Sequence, residues 1–161
     1  MKYLLLIAVI IVSSCASVNQ YSPEEFTENI PKGASKVIIT SDLTTTDLYN
    51  QVLMELTRSE VSFNTINQAV FIIRTDYKYI DSGTFIKINI LVEEKGNYSR
   101  ATMIGSWTYG QQNAVMFRSL ESDNHSWFTA KWGNPFEKQS MAMAYIVNIA
   151  NGLNHTEIAY K

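Results

Sequence analysis

The feature that most constrains the fold is an alternation of large aliphatic residues near the middle of the chain. Isoleucine or valine occupies every second position from Ile86 to Val92. A period of two is typical of a β-strand with one buried face. The next residues, Glu94-Lys95-Gly96-Asn97, supply a turn in which the glycine can adopt a positive φ angle. The chain returns over Tyr98–Tyr109, so the sequence predicts an antiparallel hairpin. Its returning strand places these residues on one face: Ala101, Met103, Gly105 and Trp107.

Further strands and a first helix are predicted around this hairpin. Lys36–Thr40 is a short β-branched run typical of a strand, and Ala69–Ile73 is apolar on both faces, which favours a central strand. A helix is predicted from Thr44 to about Ser59, because Thr44 and Asp47 form a capping box. Apolar residues then recur at helical spacing, which predicts a core-facing stripe of Leu48, Val52 and Leu56.

The last third of the chain predicts a second helix. Asn134-Pro135-Phe136-Glu137 has the residue types of an N-cap, a proline at the first helical position and a glutamate at the third. The stripe of Met141, Tyr145 and Ile149 follows, and Gly152 lies where such a helix ends. Residues 156–161 predict a short edge strand. No periodicity is clear between residues 110 and 133.

The first twelve residues have the pattern of a signal peptide. Met1-Lys2 provides a positive charge, and Leu4–Val12 is an uninterrupted run of nine apolar residues. A membrane-spanning helix needs about 20 such residues. The short run followed by polar chain therefore favours a signal peptide. The alternative is a buried N-terminal helix or strand of the domain.

The end of this segment carries a more specific pattern. Val12-Ser13-Ser14-Cys15 resembles the lipobox of bacterial lipoproteins, in which an aliphatic residue and two small residues precede the lipidated cysteine. The resemblance implies that Cys15 becomes an acylated mature N-terminus, palmitate being an expected acyl group. Several acyl chains anchor a protein stably to a membrane. Ala16 replaces the aspartate associated in that family with inner-membrane retention, which implies the outer membrane and a domain facing the periplasm.

These patterns divide the chain into three parts and give its fold class. Residues 1–14 are the expected signal peptide, residues 15–32 the lipidated cysteine and a tether, and residues 33–161 a single domain. The order of elements predicts an α+β domain, with an antiparallel sheet of about 4–6 strands and two helices packed on one face. A chain beginning at about Ser22 is expected to fold as a soluble monomer.

Part of the mature chain also resembles a known kind of domain. Asp47-Leu48-Tyr49, the apolar second strand and the Glu93–Arg100 hairpin are similar to small bacterial lipoprotein domains of unknown function. The resemblance covers about residues 33–110. It implies a sheet and helix like those of the TATA-binding protein, and it implies a fold only, since fold does not determine function.

Composition argues against several classes of function. Thirteen basic and fifteen acidic residues give a net charge of −2, so the composition provides no excess of positive charge for binding nucleic acid. No metal-ligand, phosphate-loop or nucleophile motif is present, so we expect no metal and no cofactor. The two histidines, His125 and His155, lie in polar turns and are expected to be loop or cap residues. A hydrolase using His125 with a serine or aspartate is a remote alternative.

The uneven feature of the sequence is its aromatic content between residues 107 and 136. This segment contains Trp107, Tyr109, Phe117, Trp127, Phe128, Trp132 and Phe136. Such rings can line a ligand pocket or fill a core. Alternation assigns Trp107 to the core. The candidate ligand-binding residues are therefore Tyr109, Trp127 and Trp132.

The sequence leaves two main hypotheses about function. The first is a non-enzymatic, membrane-anchored envelope lipoprotein with an accessory role, which contacts another envelope protein. The alternative is a binding module for a carbohydrate, a peptide or another small ligand, built from segment 107–136. Solvent exposure of the tryptophan rings would distinguish the two.

Overall fold

The computed structural model describes residues 30–81, 83–110 and 126–161. Their elements, in chain order, are β1 (Val37–Ser41), α1 (Thr45–Arg58), β2 (Phe63–Asn67), β3 (Ile72–Thr75), β4 (Lys78–Asp81), β5 (Thr84–Lys95), β6 (Tyr98–Tyr109), β7 (Phe128–Thr129), α2 (Lys138–Asn151) and β8 (Glu157–Tyr160). The predicted signal peptide, Cys15, His125 and Phe117 lie outside the described residues.

The strands form one antiparallel sheet in the order β2-β3-β5-β6-β1-β8, with β4 added beside β5 and β7 beside β6. The predicted hairpin is confirmed and lies at the centre of this sheet. Strands β5 and β6 contain twelve residues each and pair along their whole length, from Thr84 opposite Tyr109 to Lys95 opposite Tyr98. Gly96 adopts φ 70° in the turn, a conformation that most side chains disfavour.

The predicted α+β class is confirmed, but the residues that the structure describes form eight strands instead of the expected 4–6 or so. The additional strands are short: β2 has five residues, β4 four and β7 two. They show little alternation that could have revealed them. β2 pairs with the following strand β3, β4 with the following strand β5, and β7 with β6, so backbone pairing rather than a sequence pattern defines them.

The prediction of a continuous strand over residues 69–73 is wrong. Strand β3 begins only at Ile72, and Val70 lies in the turn after β2 with half of its surface exposed (50%). The backbone reverses here because the Asn67 side chain accepts a hydrogen bond from the Ala69 N–H at 3.1 Å. Phe71 completes the turn with a positive φ of 51°.

Helix α1 begins as its capping box predicts. The Thr44 hydroxyl accepts a hydrogen bond from the Asp47 N–H at 3.1 Å and donates one to the Asp47 carboxylate at 2.7 Å. This satisfies one of the free N–H groups of the first turn. The predicted stripe is buried, together with a tyrosine, and comprises Leu48, Tyr49, Val52 and Leu56.

Helix α2 begins later than predicted. Glu137 occupies the N-cap position without a side-chain capping bond, so the helix starts at Lys138. The Asn134 side chain instead accepts a hydrogen bond from the Phe136 N–H at 3.1 Å, which makes a separate turn before the helix. Competition of asparagine for nearby backbone donors explains this difference. The helix ends at Gly152, as predicted.

The core lies where the two helices meet the sheet. Both helices contact β5 and β6, and α2 also contacts β1. The residues of β5 that alternate inward are buried (Ile86, Ile88, Ile90 and Val92), whereas Asn89 and Leu91 between them are exposed. Gly105 of β6 allows α2 to approach closely, since a side chain there would collide with Ile146.

The last strand, β8, is paired with β1. Strand β8 adds to β1, as the predicted edge strand requires, and the Lys161 carbonyl accepts hydrogen bonds from the N–H groups of Ser35 and Lys36 at 2.6 and 2.8 Å. Within residues 30–81, 83–110 and 126–161, no helix combines the length and the apolar character that crossing a membrane requires.

The alternation of β5 generates a stability prediction with a built-in control. Ile88 is fully buried, and Asn89 beside it is exposed on the other face. We expect Ile88→Asp to lower the free energy of unfolding by at least about 3 kcal/mol, because it buries an unpaired carboxylate. Asn89→Asp should change it by less than about 0.5 kcal/mol. Urea unfolding of a chain beginning at Ser22, followed by circular dichroism, measures both. Equal losses would contradict the register.

Candidate functional site

Exposed aromatic residues gather at the end of the β5–β6 hairpin that lies opposite its turn. Tyr109 ends β6, Phe128 belongs to β7, Trp127 precedes it, and Phe136 precedes α2. The pairing of β6 with β7 brings Tyr109, Trp127 and Phe128 to this end, because Ser106 pairs with Thr129 and Trp107 with Phe128. The Lys138 ammonium over the Tyr109 ring brings the start of α2, which Phe136 precedes, to the same end. We call Trp107, Tyr109, Trp127, Phe128 and Phe136 the aromatic end of the sheet.

The base of the aromatic end is a contact between two rings. The Trp107 and Phe128 ring centroids lie 5.5 Å apart, with the planes inclined by 40°. Trp107 is partly buried and packs against the hydrophobic core, as its alternation predicts. Phe128 is the cross-strand partner of Trp107, so it lies on the same face of the sheet, and it is 47% exposed. The Trp107 ring therefore supports a second ring whose outer surface is available for contact.

Two lysines lie over rings at this end. The Nζ atom of Lys87 is 4.4 Å from the Trp127 ring centroid, and the Nζ atom of Lys138 is 5.3 Å from that of Tyr109. Such cation–π contacts contribute about 0.5–1 kcal/mol each when exposed. They orient the rings and place positive charge beside apolar surface. This combination can bind apolar side chains next to carboxylates.

The three candidate residues from the sequence separate in the structure. Tyr109 is 62% exposed and Trp127 is partly exposed at the aromatic end. Trp132 is 4% exposed and belongs to the core. Its N–H donates to the Ala34 carbonyl at 2.8 Å, and its carbonyl accepts from the Gly33 N–H at 2.7 Å. This backbone pairing with a distant segment keeps Trp132 in the core, so its ring is not accessible to a ligand.

Phe136 and the two lysines were not among the candidate residues. Phe136 is 79% exposed, because the turn at Asn134 precedes α2 and projects it from the surface. The sequence had assigned this residue to the first turn of the helix. For Lys87 the sequence did contain a signal. This residue alternates with the buried isoleucines of β5, so its side chain had to face outward.

A cavity of about 490 Å³ lies at the opposite end of the sheet, beside the start of α1. Its lining includes the carboxylates Asp42, Glu93 and Glu94, the hydroxyls Thr44, Thr45, Thr46 and Ser99, and the rings Phe71 and Tyr98. Glu93 is paired with the Lys95 ammonium at 3.1 Å. The described part of the chain contains no group of three or more histidine, cysteine, aspartate or glutamate side chains placed to hold a metal ion.

A buried tyrosine lies close to this cavity. The Tyr49 ring packs edge-on against Phe71 at a centroid distance of 5.5 Å, and its hydroxyl has no hydrogen-bond partner among the described residues. Burial raises the pKa of the Tyr49 phenol, because the phenolate would be poorly solvated. The tyrosine thus stays neutral and acts as a packing residue. The His155 Nδ1–H donates a hydrogen bond to the Leu153 carbonyl at 2.7 Å, as a cap residue does.

The positions of the tryptophans generate a second prediction. Trp132→Ala should lower the free energy of unfolding by about 3–5 kcal/mol, as large-to-small substitutions in a core do. Trp127→Ala should cost about 1 kcal/mol or less, because it removes mainly the contact with Lys87. Urea unfolding gives both values, and acrylamide quenching of the remaining tryptophans gives their exposure. A loss for Trp127→Ala as large as that for Trp132→Ala would place both rings in the core.

Comparison with known proteins assigns no family to this chain: no protein-family model matches it, and no curated protein is similar enough to count as a match.

Proposed function

We propose that this protein is a membrane-anchored envelope lipoprotein without enzymatic activity, whose domain binds another envelope protein through the aromatic end. The anchor is Cys15, on the resemblance of residues 12–15 to a lipobox. The observation that carries the binding role is the gathering of exposed rings at one end of the sheet. Tyr109, Phe128 and Phe136 are all large apolar side chains with substantial exposed surface.

The chemistry of the aromatic end suits a protein partner. Protein interfaces are enriched in aromatic residues and arginine, and a few such residues supply most of the binding energy. Phe128 is held by strand pairing and by its contact with the Trp107 ring, so this side chain loses little freedom on binding. Lys87 and Lys138 beside the rings favour a partner that presents carboxylates next to apolar side chains.

The shape of the site favours a protein over a small ligand. Small-molecule sites are concave and enclose most of the ligand surface. The cavities of about 490 and 470 Å³ that the described residues form are both lined by residues outside the aromatic end. We therefore keep the carbohydrate or peptide module as the weaker alternative.

We also propose that both helices cover the same face of the sheet. Support comes from the contacts of α1 and α2 with the same two strands, β5 and β6, and from the burial of one alternating set of β5 residues. The face that carries Asn89 and Leu91 is then open. The proposed location is the periplasmic side of the outer membrane, on the basis of Ala16.

The anchor is tested by removing its thiol. Cys15→Ser should abolish incorporation of labelled palmitate and release the protein from the membrane fraction, because the chain has a single cysteine. Labelling of cells and fractionation at high salt measure this, with Ser14→Ala as the matched control that keeps a small residue before the cysteine. A wild-type protein that takes up no fatty acid would refute the anchor.

The partner surface is tested by crosslinking in living cells. A photo-crosslinking phenylalanine analogue at position 136 should yield a discrete adduct, whereas the same analogue at the exposed Met54 of α1 should not. A second substitution, Phe128→Ala, should reduce the adduct about tenfold or more, as loss of an interface ring worth about 2 kcal/mol does. Adduct formation that is unaffected by Phe128→Ala, or equal at both positions, would contradict the proposal.

A further inference from the structure

The face of the sheet that carries Leu91 combines exposed aliphatic side chains with cationic ones. Neighbouring strands place Ile72 opposite Leu91, Arg74 opposite Asn89, and Ile104 on the far side of Asn89. These residues border a cavity of about 470 Å³ together with Thr102. Leu91 is 38% exposed, and Arg74 is also exposed. We call Ile72, Arg74, Asn89, Leu91, Thr102 and Ile104 the open face.

The charges on this side of the sheet are predominantly positive. The strand positions that alternate with buried residues carry four cations, Arg74, Lys87, Lys95 and Arg100, and two carboxylates, Glu93 and Glu157. Glu93 is paired with Lys95. Arg74 has no carboxylate within ion-pair distance among the residues that the structure describes. A chain of net charge −2 thus presents a cationic side, which is complementary to an anionic surface.

The turn beside the open face is unusually apolar. Turns are normally built from glycine, proline, asparagine, aspartate and serine. The turn between β2 and β3 begins with Asn67 and Gln68 but then exposes Ala69 and Val70. Phe71 is held at φ 51° while its carbonyl accepts a hydrogen bond from the Val92 N–H at 3.0 Å. Val70 precedes the Ile72–Leu91 pair by two residues. The turn therefore extends the apolar surface to the corner of the sheet.

The length of chain before the described domain restricts where this face can be. Fifteen residues, Cys15 to Asn29, separate the proposed anchor from Ile30, which is packed in the core. Even fully extended, they span at most about 50 Å. The domain therefore stays within roughly one or two domain diameters of the lipid headgroups. The tether therefore always keeps a membrane surface within reach of the domain.

We propose that the open face lies on the membrane and binds anionic phospholipid headgroups. Arg74 donates paired hydrogen bonds to a headgroup phosphate, and Leu91 and Val70 reach the boundary with the acyl chains. Exposed rings, which dominate protein interfaces, lie at the aromatic end rather than among these six residues. The inference rests on the proposed function in one respect, the acyl anchor at Cys15.

The test uses the full acylated protein in vesicles. Acylation occupies the single native thiol, so a cysteine introduced at one position can be labelled with an environment-sensitive fluorophore. Leu91→Cys reports on the open face, and Met54→Cys on α1 is the matched control, exposed to a similar or greater degree. Vesicles contain either phosphatidylcholine alone or a mixture with phosphatidylglycerol. Flotation with the vesicles measures anchoring separately from the fluorescence.

We expect the probe at position 91 to shift to shorter wavelength, and to be quenched by doxyl-labelled lipid, only in the anionic vesicles. The shift should be lost in 1 M NaCl, where the Debye length is about 3 Å, and should be reduced at least several-fold by Arg74→Glu. The control probe should not shift. Melting curves of each variant verify that the fold is retained.

Each other outcome overturns the inference in a recognisable way. If the protein floats but the probe at position 91 remains in a water-like environment, the anchor is intact. The open face then belongs to another partner. A shift without vesicles that grows with protein concentration assigns it to a second copy of this chain. An equal shift in neutral vesicles, or at position 54 as well, removes the role of the anionic headgroup. Protein that fails to float refutes the proposed anchor, and the inference with it.

Discussion

The structure depends on the uninterrupted pairing of β5 with β6. Twelve residues on each strand face one another in a single register, and every other element attaches to this ladder directly or through one neighbour. Because side chains alternate across a strand, the register decides at once which residues enter the core and which face outward. A slip by one residue would expose the isoleucines of β5 and bury Lys87, Asn89 and Glu93. The ladder therefore defines both the core and the open face.

Local signals made this part of the fold predictable from sequence. The alternation over Ile86–Val92, the glycine of the turn and the capping box at Thr44 each act within a few residues, so pattern and structure agree there. The predicted start of α2 is wrong for a related reason. Asn134 can cap either a helix or a turn with the same side chain, and the local sequence does not decide between them. The Gly133 N–H donates to the Ser140 hydroxyl at 2.9 Å, which ties the turn to the first residues of the helix.

The remaining differences arise from backbone pairing that no local pattern records. Trp132 is buried because its backbone pairs with Gly33 and Ala34, about a hundred residues earlier, and no periodicity around position 132 records that pairing. The short strands β4 and β7 pair with the edges of the long hairpin, and β2 pairs with β3. For the candidate site, the aromatic composition of segment 107–136 was visible in the sequence. Which rings are exposed was not, since that depends on which of them the helices and β1 cover.

Lys87 shows how closely the two proposed surfaces are linked. It stands on the open side of β5, opposite Ser106, and its ammonium lies over the Trp127 ring at the aromatic end. An exposed cation–π contact contributes only about 0.5–1 kcal/mol, and a lysine side chain is long and flexible. Under the two proposals, a headgroup phosphate near the open face and a carboxylate on a protein partner would compete for the single charge of Lys87. Both binding regions would then use the same lysine side chain. The rigid hairpin beneath it keeps the two regions at a constant separation.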